Sequence, residues 1–351
     1  MTRNHDHWGS RAGFILAIIS SAVGLGSIWK FPYELGTNGG GVFLLLYVLG
    51  LVLVVGPLML AELAIGRRGG HDAVLSMSRL ARQNKASPRW GAVGGLGVLI
   101  TSLVLSYYSV IGGWAIYYTA EIALSGLPAG GASGIQAHFD CFLRAPDLTF
   151  SFHLLFMAIV AGIVGRGIAG GIEIAVKILM PLMLALMIGL ACYSLIEGDA
   201  AAGLRFMFVP DLARLSGTTV LEALGLGFFS IGVGFATMMT YAAYADHRTN
   251  LGQVALLTLI ADTAISLLAG LAVFPLVFAH GLDPSSGAAL VFVTLPLAFA
   301  DMPFGRIAAV AFFACLSAAA IGSAISMLEC PGSALLSQIY RVEEERISGS
   351  S

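Results

Sequence analysis

Asp262 is a lone carboxylate in a long apolar run, with no charged residue at helical spacing from it. An unpaired charge buried there costs several kcal/mol. A bound cation is therefore favoured over a purely structural role. Few other polar groups share such surroundings. Ser230 begins the run Ser230-Ile231-Gly232-Val233-Gly234, and Tyr107 and Tyr108 sit side by side in another apolar stretch. One tyrosine can present its hydroxyl to a site while the other packs. Ser323 can serve as an ion ligand or bond back to its own helix, and the residue alone does not separate the two. Glu62 ends the second apolar run, where a cap or a tie to the sixth helix is favoured over a ligand role.

Two apolar runs carry glycines near their middles: Ala22-Val23-Gly24-Leu25-Gly26-Ser27 in the first and Ser230–Gly234 in the sixth. Glycine weakens a helix by about 1 kcal/mol relative to Ala. Close packing through small residues is the alternative reading, and with 44 glycines in the chain a single pair says little. Position favours interruption. The first and sixth runs are five apart, as expected if helices 1–5 repeat as 6–10, and paired interruptions mark the site of a secondary transporter. Unwound backbone needs protein, water or ligand to satisfy it. The new helix N-terminus suits a carboxylate, and the freed carbonyls suit Na⁺ or an ammonium group. Such a break can hold the zwitterionic head of an amino acid.

The elements that position these groups follow from composition. The 351 residues are 58% hydrophobic and 11% charged, with mean hydropathy +0.88. Soluble domains average about 25% charged residues, so a water-soluble globule and a disordered chain are both excluded. The runs are too continuous for barrel strands. Eight candidate spans cover 11–35, 41–66, 91–124, 151–166, 172–196, 219–245, 251–279 and 304–337. Long loops fall at 67–90, 125–150, 197–218 and 280–303.

Lys and Arg orient the spans. One side holds Arg3, Arg11, Arg67, Arg68, Arg79, Arg82, Lys85, Arg89, Arg166, Arg248, Arg341 and Arg346; the other holds Arg144, Arg205, Arg214 and Arg306. Both termini are expected to be cytoplasmic, in the cell (inner) membrane, with the basic loop 67–90 against the inner leaflet. The first run leads into Lys30-Phe31-Pro32 with no cleavage pattern, so it reads as a retained span. The net charge of −2 implies no nucleic-acid partner. The four cysteines lack metal spacing, and Cys192 and Cys315 read as small core residues. No ExxH or HxxxH pair supports an enzyme, and no recurring polar stripe supports a channel.

At these residues the chain resembles the neurotransmitter:sodium symporter family. "HWGSRAGFILAIISSAVGLGSIWKFPYELGTNGGGVFLLLY" resembles its first-helix signature. "MLAELAIGRR", "SYYSVIGGW", "GFFSIGVGFATMMTYAAY", "LAGLAVFPLVF", "LVFVTLPLAF" and "AIGSAISMLE" follow in family order, as far as about Glu329. The resemblance implies an all-α integral membrane protein with a LeuT-type fold, an inverted 5+5 repeat that is here incomplete, and interrupted helices 1 and 6. It also implies a single transmembrane domain over 1–330 and a polar tail over 331–351. Helices 1–5 would span about 11–196, and helices 6–8 about 219–337.

The implied activity is sodium-coupled symport of an amino acid by alternating access, without catalysis. The substrate carboxylate would meet the N–H groups of Leu25 and Gly26 and the hydroxyl of Tyr108. Its amino group would meet carbonyls of Ala22, Phe229 and Ser230. Val104, Ile111, Phe229, Gly232, Phe235, Ser323 and Met327 would form the side-chain pocket. A first Na⁺ would use the Ala22 carbonyl, Ser27, Ser230, Asp262 and the substrate carboxylate. A second would use carbonyls of Ser20, Val23 and Ala319 with the hydroxyl of Ser323. Lys30, Tyr108 and Phe229 would form the outer gate.

Several departures from the family pattern carry expectations. Ser27 replaces a usual Asn, Gly322 replaces a side-chain ligand of the second ion, and Lys30 replaces a gate Arg, keeping charge but losing the planar fork. Tyr47, Ser230 and Ser266 match chloride ligands of relatives. Leu226 and Asp262 do not, so no chloride requirement is expected. Gly232, where Ser is common, suggests room for a large hydrophobic or aromatic side chain. Eight spans against the family's twelve favour a fragment or truncated gene over a chain completed by a second protein or a short working transporter. The alternative function is a homologue that binds amino acid or Na⁺ without transporting alone.

Overall fold

The computed structural model describes residues 8–285 and 290–348, with side chains to residue 339. Arg3 and the side chains of Arg341 and Arg346, used above for orientation, lie outside this set. The described chain is helical, with one isolated bridge between Gly40 and Pro210. In order the helices are α1 (Arg11–Ala22), α2 (Gly26–Thr37), α3 (Gly41–Gly69), α4 (Ala73–Gln83), α5 (Gly91–Ser125), α6 (Gly131–Leu143) and α7 (Pro146–Val164). There follow α8 (Ile168–Glu197), α9 (Ala200–Phe208), α10 (Gly217–Ile231), α11 (Thr237–Ala243), α12 (Leu251–Ala279), α13 (Leu290–Ala300) and α14 (Gly305–Ser348).

Six of these are long and apolar enough to cross a membrane among the described residues, and α1 with α2, bent by 45°, makes a seventh. The expected count of eight is not reached on this measure. The reason is physical: the break in the sixth span leaves α10 and α11 each too short to cross alone. The expected loops are also partly helical, since α4, α6, α9 and α13 lie within them. The segment read as a polar tail continues α14 to Ser348, with Pro331 inside the helix.

The centre of the bundle is α14, which packs most extensively on α5 and also on α8. Buried residues make up 72% of its most apolar window, against 11% for α7, so α14 is core and α7 peripheral. Its Leu316-Ser317-Ala318-Ala319-Ala320 stretch lets neighbouring backbones approach closely. Leu53 and Leu103 are well exposed, as lipid-facing residues are. The start of α1 is fixed by Glu173, which accepts from the Gly9 N–H at 2.7 Å and the Ser10 hydroxyl at 2.7 Å. Cys315 is buried as expected, whereas Cys192 is exposed on the outward side of α8.

Candidate functional site

The two breaks differ in their causes. After α1, Val23 turns extended (φ −84°, ψ 104°), and the chain re-enters a helix at Gly26. After α10, Gly232 closes the helix at φ +75°, Gly234 has φ +87°, and Ala236 enters α11 at φ +60°. Ala rarely adopts that conformation, so the surroundings must hold it. Glu62 Oε1 accepts from the Gly234 N–H at 2.6 Å. Thr101 and Cys330 both donate to the Phe235 carbonyl. Glu62 is thus a tie between α3 and the broken sixth span, while its Oε2 is buried without a hydrogen-bond partner.

The breaks lie against each other. A Cβ at Gly26 would come within 2.9 Å of Ser230 Cα, so only glycine permits this approach. Asp262 of α12 joins them. Its Oδ1 accepts from the Ser27 hydroxyl at 2.7 Å and the Ser230 hydroxyl at 2.7 Å. The two serine oxygens are 3.0 Å apart. Oδ2 accepts from the Tyr47 hydroxyl at 2.6 Å. Asp262 and Ser27 are both 0% exposed, so this carboxylate is stabilised by three hydroxyl donors in place of water.

A second group lies beside it. The Leu25 N–H, released by the break, donates to the Tyr108 hydroxyl at 3.1 Å. Tyr108 is buried, whereas Tyr107 is 47% exposed, which separates the two tyrosines left open above. A Cβ at Gly24 would stand 2.2 Å from Ser323 Oγ and 2.4 Å from the Tyr108 hydroxyl. Ser323 donates to the carbonyls of Ser20 and Val23, each at 3.2 Å. It bonds across to α1 rather than back along α14. A Cβ at Gly322 would be 2.4 Å from Ser20 Oγ, so the Ser20 hydroxyl occupies the space that a side chain at 322 would need.

The remaining sequence-derived residues are less tightly joined. Val104 and Ile111 are half-buried on the Tyr108 side of α5, at positions i−4 and i+3 from it. Phe229 and Phe235 flank the second break with ring centroids 6.4 Å apart. Gly232 lies between them, and a Cβ there would meet the Phe235 ring at 3.7 Å. Met327 and Ala319 are buried one turn either side of Ser323. The Ala319 carbonyl belongs to an unbroken stretch of α14, unlike those of Ser20 and Val23. Hydroxyl contributions from Ser20, Thr101 and Tyr47 to these arrangements were not expected from sequence, apart from the chloride comparison at Tyr47.

Further contacts join the two broken spans at either end. On one side Lys30 Nζ lies 4.9 Å from the Phe229 ring centroid and 3.9 Å from Glu34 Oε1, one helical turn on. Lys30 therefore pairs within its own helix. On the other side the Trp8 indole N–H donates to the Tyr241 carbonyl at 3.1 Å, and its ring packs edge-on against Tyr241 at 5.2 Å. No group of three or more His, Cys, Asp and Glu able to hold a metal is found among the described residues. A cation site here would rest on hydroxyl and carbonyl oxygens around one carboxylate, the donor set of a hard cation.

Comparison with known proteins gives a consistent result. The model of the sodium:neurotransmitter symporter family matches residues 5–145 and 145–348. The chain is 38% identical over 322 residues to the uncharacterized sodium-dependent transporter YhdH of Bacillus subtilis, covering 92% of this chain and 70% of that protein. It is 31% identical over 338 residues to an uncharacterized sodium-dependent transporter of Haemophilus influenzae, covering 94% and 74%. Among solved structures it is similar to MhsT in complex with L-phenylalanine, with a TM-score of 0.88 and 42% identity over 95% of this chain and 75% of that one.

Proposed function

The chain belongs to the sodium:neurotransmitter symporter family, and from that premise we propose that it carries a large hydrophobic or aromatic amino acid across the membrane with Na⁺, by alternating access. Family and fold make it a multi-pass membrane protein of sodium-dependent transporter type. The observation that carries the finer reading is the meeting of both helix breaks at Asp262.

In this reading Ser27, Ser230 and Asp262, with the carbonyl of Ala22, hold a first Na⁺. The two serine hydroxyls that donate to Oδ1 rotate so that their lone pairs face the cation. The Leu25 N–H and the Tyr108 hydroxyl, which already face each other, take the substrate carboxylate together with the Gly26 N–H. That carboxylate also faces the first Na⁺, which couples the two electrostatically. Carbonyls of Ala22, Phe229 and Ser230 accept from the ammonium group. Val104, Ile111, Phe229, Gly232, Phe235, Ser323 and Met327 surround the side chain. The space left by Gly232 beside Phe235 supports a large one, as does the L-phenylalanine of the similar MhsT structure.

A second Na⁺ would use the carbonyls of Ser20 and Val23 and the Ser323 hydroxyl, with Ala319 nearby. The Ser20 hydroxyl stands in for the ligand that Gly322 lacks. Chloride is not required, because Asp262 supplies a fixed negative charge and engages the Tyr47 hydroxyl. Lys30 with Phe229 closes the outer side and Trp8 with Tyr241 the inner, with both termini in the cytoplasm.

Equilibrium binding of radiolabelled L-phenylalanine to the purified chain tests this reading. Binding should require Na⁺, fail in K⁺, and be competed by Trp and Leu before Gly or Ala. Competition led by Gly or Ala would overturn the substrate class.

A further inference from the structure

Arg67 and Arg68 close α3, and Arg79 reaches the same place from α4. With Trp8, Asp246 and His247 they line a cavity of about 550 Å³. Among the described residues, three arginines and one carboxylate thus line this cavity. None of the three is within 4.0 Å of a carboxylate among the described residues. Asp246 instead accepts from the Arg248 N–H at 2.9 Å.

Two of the arginines are anchored. Arg67 Nη1 donates to the Thr249 carbonyl at 2.6 Å, and Arg79 Nη1 donates to the Gly69 carbonyl at 3.2 Å. A guanidinium has five N–H donors, so each keeps further donors free. Basic residues in the last turn favour a helix terminus. That accounts for Arg67 and Arg68, and Arg79 serves the same end from a separate helix through the Gly69 carbonyl, with His71 Nε2 3.0 Å from the same nitrogen.

The cavity's level in the membrane follows from exposure. Pro57, Ala61, Ala64 and Arg68 form an exposed stripe down α3, spaced four, three and four residues apart. Arg68 therefore ends a lipid-facing surface. Trp90, 55% exposed, begins the exposed face of α5 at the same end, and Trp concentrates at the headgroup level. A phosphate there meets both unpaired positive charge and planar N–H forks, the pairing that Arg satisfies best.

We propose that this cavity binds the phosphate group of an anionic phospholipid headgroup, recognised by Arg68 and by the remaining donors of Arg79, beside Arg67. Basic pockets between spanning helices take such headgroups. Bound phosphate would tie the end of α3 to α4 through Arg68 and Arg79.

Lipid retention by the purified chain after delipidation tests the proposal, read by native mass spectrometry. Phosphatidylglycerol should be retained at least about tenfold over phosphatidylcholine. Arg68→Gln with Arg79→Gln should abolish that preference, and Arg68→Gln alone should reduce it should the double variant fail to fold. Lys85→Gln with Arg89→Gln removes the same charge outside the cavity and should leave the preference intact. Inorganic phosphate that displaces the lipid at millimolar concentration identifies free phosphate as a second source; its failure identifies the lipid alone. Equal retention of the two lipids, or equal loss in both double variants, would overturn the site.

Discussion

Tyr47 on α3 and Asp262 on α12 are joined by a 2.6 Å hydrogen bond from the phenol hydroxyl to the carboxylate, 215 residues apart in sequence. The hydroxyl that could greet chloride is engaged by a fixed anion. Replacing chloride with gluconate should leave sodium-driven uptake unchanged. Asp262→Asn removes the charge and should lower apparent Na⁺ affinity by about tenfold or more, the scale of a hydrogen bond or ligand contact to a charged group. In that variant chloride should restore part of the loss. Chloride stimulation of the unmodified chain would refute this assignment.

Tyr108 and Tyr107 should separate cleanly. The Tyr108 hydroxyl meets the released Leu25 N–H, while Tyr107 is 47% exposed. Tyr108→Phe should raise the substrate KM by about tenfold, corresponding to roughly 1.4 kcal/mol. Tyr107→Phe should change it less than twofold. Both follow from uptake kinetics at saturating Na⁺.

Gly26 and Gly24 are predicted to fail in different ways. A Cβ at 26 meets the Ser230 backbone, which cannot yield without moving α10. Gly26→Ala should therefore lower thermal stability and abolish uptake. A Cβ at 24 meets the ends of Ser323 and Tyr108. Side chains can rotate away, so Gly24→Ala should remain folded and lose substrate and Na⁺ affinity. Thermal denaturation in detergent, paired with binding, distinguishes the two.

Ser20 and Gly322 form a reciprocal pair, one supplying a hydroxyl where the other supplies space. Ser20→Ala should weaken the second Na⁺ and make activation by Na⁺ less steep. Adding Gly322→Ser to Ser20→Ala should restore part of the steepness. Gly322→Ser alone should crowd Ser20 and impair activation. The Hill coefficient of uptake against Na⁺ concentration reports each outcome.

The features legible in the sequence were those that violate an apolar background. Asp262 stands out because nothing near it in the chain can neutralise it. The two breaks stand out because their glycines recur five spans apart. Glu62 was expected to cap or to reach the sixth span, and it bonds the Gly234 N–H. Partnerships set only by folding were not legible. Ser20 and Gly322 are distant in sequence, and no local pattern announces that one fills the other's space. Thr101 and Cys330, which hold the Phe235 carbonyl, look like ordinary small helix residues. The helices α4, α6 and α9 lack the long apolar run that marks a span in sequence, so tertiary packing decides them. The count of eight spans is not confirmed at the feature that marks the site, since the break in the sixth span leaves two pieces each too short to cross alone.

Sodium-driven uptake of L-phenylalanine into proteoliposomes, with Asp262→Ala alongside, tests the central claim most directly. An inward Na⁺ gradient should drive accumulation that vanishes when K⁺ replaces Na⁺ and is lost in Asp262→Ala. Uptake that persists without Na⁺, or that survives Asp262→Ala at full rate, would contradict the account.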